Sequence, residues 1–236
     1  MEFGLSIIGK ITEVDGFWNR MIPRTYPHQD DLLKRVPVPT FYQNDNLSVA
    51  IYSAGGEENI PIAFDSLVNV MVEGLSGVAV FFDSDEKMPE EKFNEMHQKL
   101  QLKIESDFLP IIEGVAFNQV KEAPIKCGLF VFPNNHEKGT LENLLLEGGN
   151  IAYLEFLIPA QRYLESIPSL HTEKWNEAKK SKALFGVMAN VLKPGSANQV
   201  TIQRDNWISK ETIKQTNQEK IKGFLVQLMD IHSSAD

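Results

Sequence analysis

The stretch Gly77–Glu86, which reads Gly-Val-Ala-Val-Phe-Phe-Asp-Ser-Asp-Glu, decides the fold that we expect for this chain. Its five consecutive apolar residues, Val78–Phe82, are typical of a short strand that is buried on both faces. The apolar run stops at two carboxylates one residue apart, Asp83 and Asp85. Because open α/β sheets place their ligands at the carboxyl ends of strands, these two acids indicate a candidate site.

Asp83 and Asp85 are candidate ligands of a divalent metal ion. In an extended stretch, residues i and i+2 point to the same side, so both carboxylates can face one Mg²⁺ or Mn²⁺ ion. Mg²⁺ commonly takes one or two protein carboxylates and keeps water or phosphate oxygens elsewhere. The alternative is that both acids only end a strand before the helix that Pro89 begins. Glu86 could assist these two acids, although we expect it to be solvated.

A second buried strand, Gly128–Phe132, is also followed by a polar loop and a helix. In a parallel sheet the two loops would lie at the same edge, which makes Glu142 a third candidate metal ligand. Its alternative role is to complement the dipole in the first turn of its helix. Asn134 and Asn135 could orient water or bind phosphate, although turn chemistry explains them about as well.

The other patterns predict an α/β protein with a helical carboxyl-terminal part. The strand Leu47–Tyr52, a glycine turn and a helix from Ile60 precede the Val78–Phe82 strand, which is the order of a parallel βαβ unit. We expect an α/β core at residues 1–150 and a helical part at residues 151–236, packed as one compact unit. Nearer the amino terminus we expect a strand at Leu5–Lys10 and short helices at Ile11–Met21 and Asp31–Arg35.

Composition and charge narrow the function classes. The net charge of −9 disfavours extensive non-specific binding of nucleic acid, which depends on many Lys and Arg contacts to phosphate. It is compatible with a nuclease whose acids are neutralised by metal ions. Cys127 is the single cysteine, so an intramolecular disulfide and a cysteine-based zinc site are excluded for one chain. No stretch approaches the roughly 20 apolar residues of a membrane span, and Met1–Gly4 lacks signal-peptide features. We therefore expect a cytoplasmic protein with no membrane partner.

Lys182 is a candidate catalytic residue in the helical part. It follows Ala178 by four residues and precedes Phe185 by three, so it falls on the apolar face of its helix. Its stem can pack there while the ammonium reaches water. The functional alternative is a lysine that faces a phosphate in the cleft.

Several segments together resemble an uncharacterised bacterial family of Toprim-related proteins. The likeness extends from about residue 47 onward, and its most specific part combines Asp-x-Asp with a later Gly-x-Leu-Glu. The segments are Ser53–Gly56, Val80–Asp85, Phe132–Asn135, Gly139–Asn143, and the region from Lys182 through Pro194-Gly195 and Asp205–Trp207 to the last helix. The resemblance implies a Toprim-like parallel sheet flanked by helices, with Asp83 and Asp85 binding Mg²⁺.

The amino terminus departs from the Toprim pattern. Toprim domains, found in topoisomerases, primases and OLD-type nucleases, end their first strand with a Glu-Gly pair. Here Ile8-Gly9 stands at the comparable position. Glu13 and Asp15 lie nearby, and Glu13 is the candidate to replace the missing acid.

The resulting hypothesis is a Mg²⁺-dependent, Toprim-like nuclease that cleaves nucleic-acid phosphodiester bonds. Ile8 and the negative net charge favour an alternative, a catalytically degenerate Toprim-like subunit that binds a partner protein or a nucleotide. A third alternative is a phosphate-ester hydrolase that acts on a small molecule.

Overall fold

The contacts of the chain divide it into two compact units. The structure is a computed structural model that describes residues 3–23, 38–71 and 73–231. One unit comprises residues 1–76 and 99–113, and the other comprises residues 77–98 and 114–236. The expected helix at Asp31–Arg35 lies outside the described residues.

An antiparallel three-stranded sheet forms part of the first unit. Its strands β1 (Ser6–Ile7), β2 (Thr40–Gln43) and β3 (Ser48–Ile51) occur in the order β1-β2-β3. Between β2 and β3, the Asn44 side-chain oxygen accepts the backbone N–H groups of Asn46 and Leu47, each at 2.9 Å. This turn makes β2 and β3 a hairpin.

The predicted strand at Leu47–Tyr52 is confirmed, but the predicted parallel βαβ unit is wrong. β3 pairs with β2, and the strand that follows the next helix belongs to the other sheet. The hairpin explains the difference, because a tight turn pairs neighbouring strands antiparallel.

Helices complete the first unit. The predicted helix at Ile11–Met21 consists of two 3₁₀ helices, Ile11–Glu13 and Gly16–Met21. The predicted helix from Ile60 is confirmed as α1 (Ile60–Met71), which follows the glycine turn. Among the described residues the unit also contains the 3₁₀ helices Glu57–Asn59 and Ser106–Phe108, the last part of α2 (Pro89–Lys103) and α3 (Leu109–Ile112).

The core of the first unit includes a cluster around Trp18 and Phe41. Both aromatic rings are buried, and Ile8, Leu67 and other apolar side chains pack against them.

The second unit contains a mixed three-stranded sheet. Its strands are β4 (Gly77–Asp83), β5 (Val120–Lys121) and β6 (Lys126–Phe132), in the order β4-β6-β5. β4 runs parallel to β6, whereas β5 runs antiparallel to it. The chain is thus an α/β protein with small sheets. Alternate residues of β4 are only half-buried, so the expectation of burial on both faces holds less well for β4 than for β6.

The predicted helical carboxyl-terminal part is confirmed. After β6 the described helices are α4 (Leu141–Ala152), α5 (Leu154–Glu165), α6 (Ser169–Thr172), α7 (Glu177–Leu192), α8 (Asn198–Arg204), α9 (Lys210–Gln215) and α10 (Gln218–Met229). α10 packs on the sheet, where Phe224 lies 5.5 Å from Phe81 and 5.4 Å from Phe130 between ring centroids. α4 contacts both α5 and α7, so residues on either side of position 150 lie in one compact unit.

A second apolar core lies among these helices. Phe185 and Met188 of α7 surround the fully buried Trp207 together with Leu145 of α4. Cys127 of β6 is a free, buried cysteine whose pKa is raised by burial to about 12. Within the part of the chain that the structure describes, no helix has the length and apolar character needed to cross a bilayer.

Candidate functional site

The loops after β4 and β6 are bound to each other. Asp83 is paired with Phe132 across the parallel strands, and the Ser84 N–H donates to the Phe132 carbonyl at 3.2 Å. The Asp85 N–H donates to the Gly139 carbonyl at 2.9 Å, and the Gly139 N–H donates to the buried Ser84 Oγ at 2.8 Å. The expectation that both loops lie at one edge of a parallel pair is therefore confirmed.

Asp83 contacts two helices through its two carboxylate oxygens. Oδ1 accepts the backbone N–H of Leu141, the first residue of α4, at 2.9 Å. Oδ2 lies 3.6 Å from the Lys182 Nζ of α7. The Asp83 side chain is 28% exposed and the Lys182 side chain is 47% exposed, so the carboxylate is mostly buried while the lysine is more open to solvent.

The pKa of Asp83 is raised above its ordinary value, and the main cause is burial. The hydrogen bond from Leu141 and the positive charge of Lys182 lower the pKa, whereas the negative charges of Glu142 and Asp85 raise it. The three predicted metal ligands therefore lie close enough together for their charges to act on Asp83.

Asp85 differs from the geometry that the sequence predicts. β4 ends at Asp83, and Asp85 has a φ of +51°, which is a left-handed conformation. The rule that residues i and i+2 of a strand point the same way consequently does not extend to Asp85. Glu86 is exposed, as expected.

Glu142 lies in the first turn of α4 and is half-buried. Its Oε2 atom is buried and has no hydrogen-bond partner among the described residues. An unpaired buried carboxylate oxygen is costly, so a cation beside it would be stabilising.

The donor chemistry of this edge fits a hydrated magnesium ion. The candidate donors, Asp83 Oδ2 and Glu142 Oε2, are carboxylate oxygens, and Mg²⁺ is commonly held by one or two carboxylates with several waters. In the described residues, no group of three or more His, Cys, Asp or Glu side chains is arranged to hold a metal ion. A metal ion here would therefore keep much of its water.

The two asparagines of the second loop stabilise the turn itself. The Asn134 Oδ1 accepts the backbone N–H groups of His136 and Glu137, at 3.0 and 2.9 Å. The Asn135 Oδ1 accepts the Val131 N–H at 2.7 Å, and its amide donates to Asn118 at 3.1 Å. Both side chains are buried, so their contacts support the turn interpretation.

Sequence reasoning missed a contact that joins α4 to α7 beside Lys182. The Asn143 amide donates to Ser181 Oγ at 2.9 Å, while the Asn143 Oδ1 accepts the Thr140 N–H at 2.9 Å. The hydrogen bond between Thr140 and Asn143 does have a sequence signal, because a polar residue three positions after Thr140 has capping-box spacing. The partner of Asn143 on α7, Ser181, is 38 residues away, and no local sequence pattern indicates that the two side chains meet.

Glu13 belongs to the first unit, whereas Asp83, Asp85, Glu142 and Lys182 belong to the second. Glu13 is exposed and pairs with Lys10, at 3.2 Å between carboxylate and ammonium.

The other residues of this amino-terminal stretch have structural roles. Ile8 packs against the Trp18–Phe41 cluster, and Asp15 caps a 3₁₀ helix by accepting the Phe17 N–H at 2.9 Å. Neither Glu13 nor Asp15 belongs to the same compact unit as Asp83.

The chain matches a known protein-family model over most of its length. The model of a family described as "Protein of unknown function (DUF3226)" matches residues 30–230, which is most of the chain. The chain belongs to the DUF3226 family. The four candidate residues of the second unit lie inside the matched region, and Glu13 lies before it. Neither a curated protein nor a solved structure matches the chain.

Proposed function

We propose that this DUF3226 protein is a Mg²⁺-dependent, Toprim-like enzyme that cleaves nucleic-acid phosphodiester bonds. The observation that carries the proposal is the acidic edge of the β4–β6 pair. There Asp83 has a carboxyl pKa raised by burial, and Glu142 has a buried oxygen with no hydrogen-bond partner among the described residues. The proposal also includes a Toprim-like fold and a cytoplasmic location, both of which are predictions from the sequence.

Within this proposal Asp83 and Glu142 would hold the ion, and Asp85 would add negative charge beside them. When bound, Mg²⁺ would neutralise phosphate charge and activate a water molecule. Lys182 binds a phosphate oxygen as a second positive charge, since its ammonium lies beside Asp83 and is partly exposed. The Leu141 N–H and the Asn143–Ser181 contact fix the carboxylate of Asp83 and the α7 segment that carries Lys182.

The first test is metal-dependent cleavage of DNA and RNA by the full chain. We expect the double variant Asp83→Ala, Asp85→Ala to lose at least about 100-fold in rate, because removing charge-stabilising groups costs a factor of this order. The control is Glu86→Ala, which removes an exposed acid from the same loop and should cleave at the wild-type rate. Undiminished cleavage by the double variant would show that the assignment is wrong.

One observation favours the alternative of a non-catalytic Toprim-like subunit. At the position where the resemblance expects a glutamate, Ile8 packs against an apolar core, and Glu13 pairs with Lys10 in the first unit. Such a subunit would bind a partner protein or a nucleotide without cleaving it. Calorimetric titration with Mg²⁺ and Mn²⁺ separates the two proposals, since failure to bind either ion at millimolar concentration favours the subunit.

A further inference from the structure

The two oxygens of Asp83 have partners of different kinds. Oδ1 accepts a hydrogen bond from the backbone of α4, at 2.9 Å from the Leu141 nitrogen. Oδ2 faces the ammonium of Lys182 at 3.6 Å. The first partner is fixed by the helix, whereas the second is the end of a flexible side chain.

The contact between Lys182 and Asp83 is a loose one. Its 3.6 Å separation exceeds the 2.7–3.2 Å typical of an N–H···O hydrogen bond. Lys182 is nearly half exposed, so its ammonium can move into water while its stem stays on α7. An ion pair whose lysine is solvent-exposed and not closely hydrogen-bonded contributes little to stability, which makes the ammonium easy to displace.

We propose that Lys182 is an exchangeable counter-ion of Asp83. In the metal-free protein its ammonium compensates the charge on Oδ2, and a divalent cation that binds Asp83 displaces it toward the phosphate that accompanies the cation. This inference rests on the proposed function and deepens it, since it makes metal binding and the release of Lys182 one coupled event. The site would then present its lysine to phosphate only after the metal has bound.

The exchange has a consequence that a packing role does not have. If the ammonium and the metal compete for Oδ2, removal of the Lys182 charge strengthens metal binding. If Lys182 only fixes α7 beside β4, its removal leaves metal affinity unchanged or weakens it.

The test is calorimetric titration of the full chain with Mg²⁺ and Mn²⁺, without nucleic acid. We expect Lys182→Met to lower the dissociation constant about threefold or more, because one neighbouring positive charge has been removed. Lys182→Arg keeps the charge and should bind as the wild type does. The matched control is Lys180→Met, which removes an equal charge from α7, where Lys180 pairs with Glu177 at 2.8 Å.

The outcomes separate this inference from the proposed function. If the wild type binds metal, Asp83→Asn abolishes binding and Lys182→Met binds no tighter than Lys180→Met, the exchange is refuted and the metal site stands. If neither the wild type nor Lys182→Met binds at millimolar metal, the proposed metal site fails as well. Circular dichroism checks that each variant is folded, and Lys182→Gln serves as the second charge-removing variant.

Discussion

At the residue scale, Asp83 joins three elements through a single carboxyl group. It ends β4, accepts the first N–H of α4 and faces the lysine of α7. The structural role of Asp83 requires only an oxygen that accepts a hydrogen bond, whereas its proposed role in metal binding requires the negative charge. The two roles can therefore be separated by substitution.

We expect Asp83→Asn to be at least as stable as the wild type at pH 7, and Asp83→Ala to be less stable than Asp83→Asn by about 1 kcal/mol. Asparagine keeps an oxygen for the Leu141 N–H, while alanine leaves that helix-terminal donor without its acceptor. Burial raises the pKa of Asp83 in the folded protein. The neutral carboxyl therefore makes its full contribution to the stability of the fold below about pH 4, and this contribution is lost as the pH rises through the folded-state pKa. Asparagine mimics the neutral form.

Thermal unfolding of the three proteins between pH 3.5 and 8 measures this. The advantage of Asp83→Asn over the wild type should be largest at neutral pH and should shrink toward the acid end, where Asp83 is protonated in both the folded and the unfolded state. Equal stability of the alanine and asparagine variants would show that the Leu141 hydrogen bond is not important.

The candidate site could be predicted in part. Asp83 and Glu142 are predicted as candidates because strand ends and helix starts have local sequence signals, and the parallel register of β4 and β6 brings their two loops together. Glu13 was placed by resemblance alone, and the local fold ties it to Lys10 instead. Ser84, which accepts the Gly139 N–H 55 residues away, shows the limit, because that contact depends on tertiary structure.

At the element scale, periodic apolar patterns predicted the helices well. α2 begins at Pro89 as predicted, and Phe93 and Met96 are buried on its apolar face. The partner of β3 could not be predicted in the same way, since strand pairing is set by turns and long-range packing. The Asn44 turn directs β3 to β2.

The Gly148–Gly149 pair lets α4 approach Trp207 closely. A Cβ at Gly148 would lie 2.2 Å from the Trp207 carbonyl oxygen and 2.6 Å from Gln218 Nε2. Gln218 Nε2 itself donates to that carbonyl at 2.8 Å, so the contact lies in a buried, hydrogen-bonded part of the core.

We expect Gly148→Ala to lower the free energy of unfolding by about 1–3 kcal/mol, because a backbone carbonyl and a buried amide would have to move. The matched control is Gly223→Ala in α10, where a Cβ would meet nothing within 4 Å. That variant should be stabilised by about 0.5–1 kcal/mol through helix propensity. Chemical denaturation of both variants measures the difference, and a stabilised Gly148→Ala would contradict the close packing.

At the scale of the whole molecule, each compact unit is assembled from two separate segments of chain. Residues 77–98 and 114–236 form one unit, and residue 150 falls inside α4. Leu144 and Leu145 of α4 are each 1% exposed, and Leu145 packs in the core around Trp207. A boundary at residue 150 would remove the helices that cover these side chains.

We therefore expect that, in a fragment of residues 1–150, the second-unit residues 77–98 and 114–150 do not form a stable core. The loss of α7 and of Trp207 exposes the apolar face of α4, and the fragment also lacks Phe224, which packs on β6. Amide hydrogen exchange of β4 and β6, with the full chain measured alongside, tests this, because the first unit lies wholly within the fragment and can unfold with a transition of its own. Exchange in β4 and β6 as slow as in the full chain would contradict the prediction.

The hydrogen bonds between Ser84, Asp85 and Gly139 have an entropic consequence for any ligand of this edge. Fixing the backbone of one residue costs roughly 1–2 kcal/mol, and here folding has already fixed both loops against each other. A ligand that binds between them does not have to order either loop. Its affinity then reflects its contacts and its displaced water, with little subtracted for conformational freedom lost on binding.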